Sequence, residues 1–204
     1  MSELRDVVIV SAIRTPVGAF QGALSSIAAH KLGAITIKAV LEETNVDPGS
    51  VDEVIMGNVL SAGQGQAPAR QAALGAGLPD SVECLTINKM CGSGLKAVML
   101  GTQAIQTGDA EIVIAGGMEN MTQAPYLLPK GRDGHRLGHG QVIDSMIIDG
   151  LWDAYNDKHM GNCAELCASE KKYSREAQDE FAKTSYSRAQ AAQENGSFSD
   201  EIVP

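Results

Sequence analysis

Cys91 is the residue of this sequence whose surroundings best suit covalent chemistry. It lies in LTINKMCGSGLKAV, residues 85–98, between a β-branched run and a helical run that contains Gly92 and Gly94. A strand's carboxyl end beside a helix start is where open α/β sheets bind ligands. The helix dipole and its free N–H groups favour a thiolate, the nucleophilic form of cysteine. The two glycines predict close approach of a substrate carbonyl and N–H groups that bind an oxyanion.

Two interpretations of Cys91 follow from these flanks alone. One is a nucleophile, and the other is a small free cysteine packed in the hydrophobic core. A nucleophilic cysteine needs a base, which spacing along the chain does not locate. Lys96 follows about a turn and a half further along and is assigned no direct role. Both interpretations stay open at this level.

Alternating strand and helix signals surround Cys91 over the first two-thirds of the chain. Apolar runs predict four strands, at 6–13, 51–60, 83–90 and 110–117. Apolar residues at helical spacing predict three helices between them, at 25–45, 67–78 and 92–108. This βαβαβαβ order predicts a largely parallel sheet flanked by helices, with right-handed crossovers.

The pattern changes after Glu119. Residues 122–160 are rich in Gly, Pro, Asp and His, which predicts an excursion from the α/β core. A helical pair is predicted at 162–173 and 174–196, with Ser174 as the N-cap and Gly196 as the stop. The last residues, FSDEIVP, read as the start of a strand, so we expect the sequence to stop within a longer protein.

The composition excludes several classes of function. The chain has 204 residues, of which 44% are hydrophobic, enough for a sizeable core. A formal charge of −9 argues against general binding of nucleic acid or anionic membranes. No apolar run reaches about 18 residues, so no membrane span is expected, and the first residues do not resemble a signal peptide. Four cysteines without secretory context predict reduced thiols and a cytoplasmic protein.

A basic segment stands apart from the acidic average. PKGRDGHRLGHG, residues 129–140, contains three cationic side chains and two histidines against one aspartate. One interpretation is a solvated loop. The other is a binding site for a phosphate-bearing ligand or for an acidic neighbouring subunit. The sequence leaves both open.

Two weaker patterns suggest other ligands. His159, Cys163 and Cys167 follow at i, i+4 and i+8, which would align them on one helix face for a metal. Gly161 interrupts that spacing and no fourth ligand is evident, so we predict no metal site. The stretch AGQGQAP, residues 62–68, has two of the glycines of a dinucleotide fingerprint, but a proline replaces the third. We interpret it as a structural loop.

NKMCGSGLKAV resembles the active-site signature of the thiolases, in which the cysteine becomes acylated. The likeness continues in collinear order along essentially the whole chain, through VVIVSAIRTPVGAF (7–20), VDEVIMGNVLSAGQGQAPARQAAL (51–74), AGGMENMTQAPYLL (115–128) and DGLWDAYNDKHMG (149–161). Within the family the sequence is most similar to the short-chain acetyl-CoA acetyltransferases, also called acetoacetyl-CoA thiolases.

The resemblance implies an architecture. Thiolases consist of two similar βαβαβαββ halves stacked as an α-β-α-β-α sandwich, with a loop domain inserted in the first half. By this likeness residues 1–121 are the N-terminal α/β core, and residues 122–204 are part of the loop domain. The family's Gly-His-Pro histidine, Asn-Glu-Ala-Phe asparagine and second cysteine have no match here. We therefore expect the chain alone to hold the nucleophile without its base and to be inactive.

The resemblance also assigns candidate site residues. Cys91 carries the acyl group, and His159 lies near the pantetheine of coenzyme A. Met160 shapes the acyl pocket for a short unbranched group. Leu151 lines the coenzyme site. The run CAELC, residues 163–167, departs from the family's Thr-Ala-Glu-Asn-like pattern.

The implied reaction is thiolytic cleavage of acetoacetyl-CoA, or the reverse condensation of two acetyl-CoA molecules, through an acetyl-Cys91 thioester. Acetyl-CoA, acetoacetyl-CoA and coenzyme A are substrates, and no metal or bound cofactor is needed. Two alternatives stay open: a longer-chain 3-ketoacyl-CoA thiolase, and a catalytically incomplete binding or assembly module. The resemblance favours a homodimer or homotetramer, with residues 129–140 reaching between dimers and no nucleic-acid or membrane partner.

Overall fold

The computed structural model describes residues 4–204 and divides them into two compact units. The first runs to Gly150 and includes Val203 and Pro204, and the second is Leu151–Ile202. The domain boundary predicted between residues 121 and 122 concerns the family's inserted domain and stays a prediction. Within residues 4–204, no helix combines the length and the apolar character needed to cross a membrane.

A three-stranded parallel sheet forms the centre of the first unit. Its strands are β1 (Glu53–Gly57), β2 (Glu83–Ile87) and β3 (Val113–Gly117), in the order β2-β1-β3. In the register, Gly57 lies opposite both Ile87 and Gly117. All three carboxyl ends therefore meet at one edge, as the sequence predicts for parallel strands connected by helices.

Helices cover both faces of this sheet. They are α1 (Ala29–Thr44), α2 (Pro68–Gly75) and α3 (Ser93–Thr107). Val54 and Met56 point toward α1 and α2 and are almost completely buried in the main hydrophobic core. Side chains alternate along a strand, so Ile55 faces the opposite side, where α3 packs. The predicted α/β class is confirmed, and α3 ends at Gly108 in the left-handed conformation, as predicted.

The strand predicted at residues 6–13 is wrong. Val8, Ile9 and Val10 are 76%, 77% and 74% exposed, and the segment is extended without sheet pairing. A parallel strand is stabilised by hydrogen bonds to its neighbours, and no described strand pairs with this run. The apolar side chains suit a buried strand, but a buried strand also requires a neighbouring strand to pair with.

Short elements follow β3 in the first unit. They are a 3₁₀ turn at Met121–Gln123, the antiparallel pair β4 (Tyr126–Leu127) and β5 (Ile143–Asp144), and a π-helical turn at Met146–Leu151. The basic segment 129–140 lies between β4 and β5. Residues 122–160 thus leave the parallel sheet, as their composition predicts.

The second unit consists of a small hairpin and two helices. The hairpin pairs β6 (Trp152–Asp153) with β7 (Lys158–His159), and the helices are α4 (Met160–Lys171) and α5 (Arg175–Glu194). Ser174 caps α5 by accepting a hydrogen bond from the Ala177 N–H, which confirms the predicted N-cap. The predicted strand start at the end of the chain is only partly confirmed: turns occupy residues 196–201, whereas Ile202 is a β-bridge residue and the Val203 N–H donates to the Arg14 carbonyl at 2.9 Å.

Candidate active site

Cys91 is a free, exposed thiol in the turn that joins β2 to α3. The turn leaves the carboxyl edge of the sheet, where ligands of open α/β sheets bind. In this structure Cys91 is exposed rather than packed in the hydrophobic core. An exposed sulfur one residue before the Gly92 N-cap of α3 is accessible to a substrate.

Side chains of the turn itself determine its shape. Asn88 Oδ1 accepts a hydrogen bond from the Met90 N–H at 2.9 Å, and Ser93 Oγ accepts one from the Lys89 N–H at 2.8 Å. Ser93 Oγ also donates to the Met90 carbonyl. Met90 has a φ of 49°, which is uncommon for a residue with a side chain. These bonds hold the backbone just before Cys91 in a conformation that it would rarely adopt alone.

The two glycines after Cys91 have different surroundings. A Cβ at Gly92 would meet only the Lys89 carbonyl, at 3.6 Å, so this position leaves open space beside the thiol. A Cβ at Gly94 would instead lie 3.7 Å from the backbone of Gly116 and Gly117. Gly94 therefore packs against the end of β3, and its predicted role in substrate approach stays a prediction.

Backbone N–H groups at the start of α3 are partly used within the turn. The Gly92 N–H donates to the Lys89 carbonyl at 3.2 Å, and the Ser93 N–H donates to the Met90 carbonyl at 3.0 Å. Neither is free to bind an oxyanion in this conformation. The Gly92 and Ser93 N–H groups are therefore used within the turn, and oxyanion binding by other N–H groups, that of Cys91 included, stays a prediction.

A polar network at the same edge of the sheet was missed by sequence reasoning. Glu119 accepts hydrogen bonds from Asn58 Nδ2 at 2.8 Å, the Val59 N–H at 2.8 Å and the Leu60 N–H at 3.2 Å. Asn58 is buried and also accepts a bond from Gln64 Nε2. Burial raises the pKa of Glu119, and the three donated hydrogen bonds act against that rise. The 61-residue separation of Asn58 and Glu119 left no local signal for this network.

His159 and Met160 are adjacent in the second unit, where β7 meets α4. His159 is the N-cap of α4, and its Nδ1 accepts a hydrogen bond from the Gly161 N–H at 3.0 Å. In the neutral ring this leaves the proton on Nε2, which can then donate to a ligand. Met160 is 41% exposed, and Leu151 begins the second unit at the end of the π-helical turn. Cys91 belongs to the first unit.

Comparison with known proteins identifies the family. Residues 7–204 match the family model described as thiolase, N-terminal domain. This chain belongs to the thiolase family. It is 61% identical over 201 residues to an acetyl-CoA acetyltransferase of Cupriavidus necator, covering 98% of this chain and 51% of that relative. It is 58% identical to one from Pseudomonas aeruginosa (98% and 51% covered) and 57% identical to acetyl-CoA acetyltransferase 2 of Arabidopsis thaliana (98% and 50%).

The match confirms the resemblance read from the Cys91 signature and the thiolase fold class. The chain spans about half the length of the curated relatives it matches. The activity of those relatives therefore belongs to proteins about twice as long as this chain.

Within residues 4–204, His159, Cys163 and Cys167 are not arranged as a metal centre. Cys163 is half-buried and lies 3.9 Å from Asp153 Oδ2, while Cys167 is exposed on α4. Asp153 accepts bonds from the Asn156 side chain and the Tyr155 N–H, which lower its pKa and order the β6–β7 turn. Between residues 4 and 204, no group of three or more His, Cys, Asp or Glu side chains is arranged to hold a metal ion.

The glycines of residues 62–68 belong to a structural loop. Gly63 and Gly65 have φ values of 76° and 87°, and Gln71 Nε2 donates to the carbonyls of Gln64 and Gln66. The loop therefore closes on its own helix α2, and the dinucleotide-binding pattern has no support in this geometry.

The basic segment of this thiolase forms an open cavity of about 820 Å³. Four of its lining residues carry basic side chains, namely Lys130, His135, Arg136 and His139. All four are exposed, as expected of a surface loop. Its assignment to a phosphate-bearing ligand or to a neighbouring subunit stays a prediction.

Proposed function

We propose that this chain carries the acyl-accepting cysteine of an acetyl-CoA acetyltransferase. The observation that carries the proposal is the exposed Cys91 thiol at the start of α3, beside the open position of Gly92. The 61% identity to a relative named acetyl-CoA acetyltransferase supports the substrate class. Acetyl-CoA, acetoacetyl-CoA and coenzyme A are then substrates rather than bound cofactors.

In the proposed reaction, the Cys91 thiolate attacks the keto carbonyl of acetoacetyl-CoA. The bond between that carbon and the α-carbon breaks, and the α-carbon takes a proton as acetyl-CoA leaves. The acetyl group remains on Cys91 as a thioester. The thiolate of coenzyme A attacks this thioester, forms a second acetyl-CoA and regenerates the Cys91 thiolate. The reverse sequence condenses two acetyl-CoA molecules.

The second unit offers groups suited to the coenzyme and the acyl chain. The Nε2–H that the Gly161 bond leaves on His159 is a donor for an amide carbonyl of pantetheine. Met160 and Leu151 supply apolar surface for the acyl and coenzyme ends, respectively. This assignment predicts a preference for short unbranched acyl groups, whereas a preference for long 3-ketoacyl-CoA substrates would contradict it.

Mass spectrometry tests the proposal directly. The chain is incubated with acetoacetyl-CoA and the reaction is quenched. The peptides of the chain are then searched for a thioester-linked acetyl group. We expect the adduct on Cys91, its loss in Cys91→Ser, and its retention in Cys167→Ser. Cys167 is a matched control because it is also an exposed free thiol, but it lies within α4 rather than before a helix start. Adducts spread equally over both cysteines would overturn the proposal.

The same proposal includes expectations about turnover, oligomeric state and cellular location. We expect acetylation without sustained thiolysis, because none of the four histidines lies in the family's base motif. Sustained turnover by these 204 residues would contradict that expectation. The family resemblance supports homo-oligomerisation, which size-exclusion chromatography with light scattering tests. Four cysteines without secretory context support a cytoplasmic location.

A further inference from the structure

The Glu119 carboxylate binds the chain segment that leaves β1. Its two oxygens accept hydrogen bonds from the Val59 N–H, the Leu60 N–H and Asn58 Nδ2, all between 2.8 and 3.2 Å. The sheet does not need this carboxylate for its own pairing. Backbone bonds from Asn58 N–H to the Ile87 carbonyl and from Met118 N–H to the Gly57 carbonyl already extend the ladders. Glu119 therefore acts on residues beyond the end of the strand.

That segment is connected to the Cys91 turn. Asn88 Nδ2 donates to the Val59 carbonyl at 3.5 Å, and Asn88 Oδ1 accepts from the Met90 N–H at 2.9 Å. Met90 directly precedes Cys91 and has the positive φ that shapes the turn. A continuous path of hydrogen bonds thus runs from Glu119 through Val59 and Asn88 to the residue before the nucleophile.

We propose that Glu119 is a positioning residue for Cys91, acting through Val59 and Asn88. The inference rests on the proposed role of Cys91 as the acyl carrier. Glu119 holds the Val59 peptide group, the Val59 carbonyl orients the Asn88 amide, and that amide holds the Met90 N–H. A displaced turn would move the sulfur away from its reactive position, and small displacements of this kind reduce reactivity strongly.

A double-mutant cycle on Cys91 reactivity tests this relay. Glu119→Gln preserves size but leaves one acceptor oxygen for three donors, and Asn88→Ala removes the last side chain of the path. The readout is the rate of Cys91 alkylation by iodoacetamide, mapped by mass spectrometry and divided by the Cys167 rate in the same sample. We expect each single variant to lower this ratio about tenfold. The double variant should be no slower than Glu119→Gln, because both changes break one path.

A matched control separates positioning from general loss of structure. Glu111→Gln makes the same chemical change just before β3, at the opposite end of that strand, on a side chain that is 83% exposed. It should leave the alkylation ratio unchanged. Circular dichroism verifies folding of each variant. If Glu119→Gln does not fold, Glu119→Asp replaces it in the cycle, because a side chain shorter by one methylene group moves both oxygens away from the Val59 and Leu60 N–H groups.

The outcomes are distinguishable from those of the acetylation test. Independent, multiplicative effects of the two substitutions, or an unchanged ratio in a folded Glu119 variant, would overturn the positioning role. Failure of the wild-type chain to acquire an acetyl group on Cys91 would overturn the proposed function instead. The alkylation ratio does not depend on acyl transfer, so each result bears on one proposal.

Discussion

Gly57, the last residue of β1, lies in direct contact with Ser93, the first residue of α3. A Cβ placed on Gly57 would be 2.6 Å from the Ser93 Cβ and 2.7 Å from the Gly94 nitrogen. Real Cβ atoms do not approach backbone so closely, so only glycine allows this contact. It seats the start of α3 on the edge of the sheet, which in turn places Cys91 at that edge.

Gly57→Ala is therefore expected to destabilise the fold by about 1–3 kcal/mol, as overpacked sites do. The added methyl group would meet the backbone of α3, which cannot move aside as easily as the end of a flexible side chain. Urea unfolding measures the change. Gly49→Ala is the control, because its Cβ would meet only the Asp47 side chain, at 3.6 Å, and should shift stability by about 0.5 kcal/mol or less. Equal stability of the two variants would refute the argument.

Gly92→Ala should separate stability from reactivity. Its Cβ meets the Lys89 carbonyl at an ordinary 3.6 Å, and the Gly92 φ of −90° suits alanine. We expect the free energy of unfolding to change by about 0.5 kcal/mol or less. The added methyl group beside Cys91 should slow acetylation about tenfold by obstructing approach to the sulfur. Full acetylation rates in this variant would show that Gly92 is not needed for access.

Glu53 should make stability depend on pH. Burial, and secondarily the like charge of Glu83 directly opposite in the register, raise the pKa of Glu53. Because the pKa of Glu53 is higher in the folded state than in the unfolded state, its contribution to folding stability is fully present at a pH below the unfolded-state pKa. That contribution is lost as the pH rises through the folded-state pKa. Glu53→Gln avoids that loss.

We expect Glu53→Gln to raise the free energy of unfolding by about 0.5 kcal/mol at pH 7, and this gain should disappear at about pH 4. Urea titrations at the two pH values measure the difference. Glu42→Gln serves as the control, since this exposed residue pairs with Lys38 at 3.7 Å and should show no gain. A gain that persists unchanged at the lower pH would contradict the electrostatic explanation.

Asn120 should contribute to stability by joining distant parts of the first unit. Its Nδ2 donates to the carbonyls of Leu24 and Ile27 at 3.2 and 2.7 Å, and its Oδ1 accepts from the Thr122 N–H at 3.0 Å. Asn120→Ala is expected to cost about 1–3 kcal/mol, because it leaves partly buried carbonyls without their donor.

The matched control for this prediction is Gln123→Ala. Gln123 Nε2 makes a single exposed bond to the Ser25 carbonyl at 2.8 Å, which water can replace. Its loss should cost about 0.5 kcal/mol or less in thermal or urea unfolding. If both variants lose the same stability, burial does not explain the contribution of Asn120.

Local features could be predicted from the sequence because neighbouring residues determine them. The stop of α3 at Gly108 depends on glycine's freedom to adopt positive φ, and the cap of α5 depends on the Ser174 hydroxyl three residues before Ala177. The failed strand at residues 6–13 is the opposite case. Its side chains have the right pattern, but no described strand lies beside it to complete the hydrogen bonds.

The sequence by itself thus determined the class of the fold, the place of Cys91 between a strand and a helix, and the family to which the chain is similar. These depend on periodicity, caps and a contiguous motif. Only the tertiary structure decided that Gly57 supports the start of α3 and that Gly94 packs on β3. It also brought Glu119 to the loop that contacts the Cys91 turn. Those relationships arise because the order β2-β1-β3 brings three strand ends together, and residues 22 to 61 positions apart become neighbours only when that sheet forms.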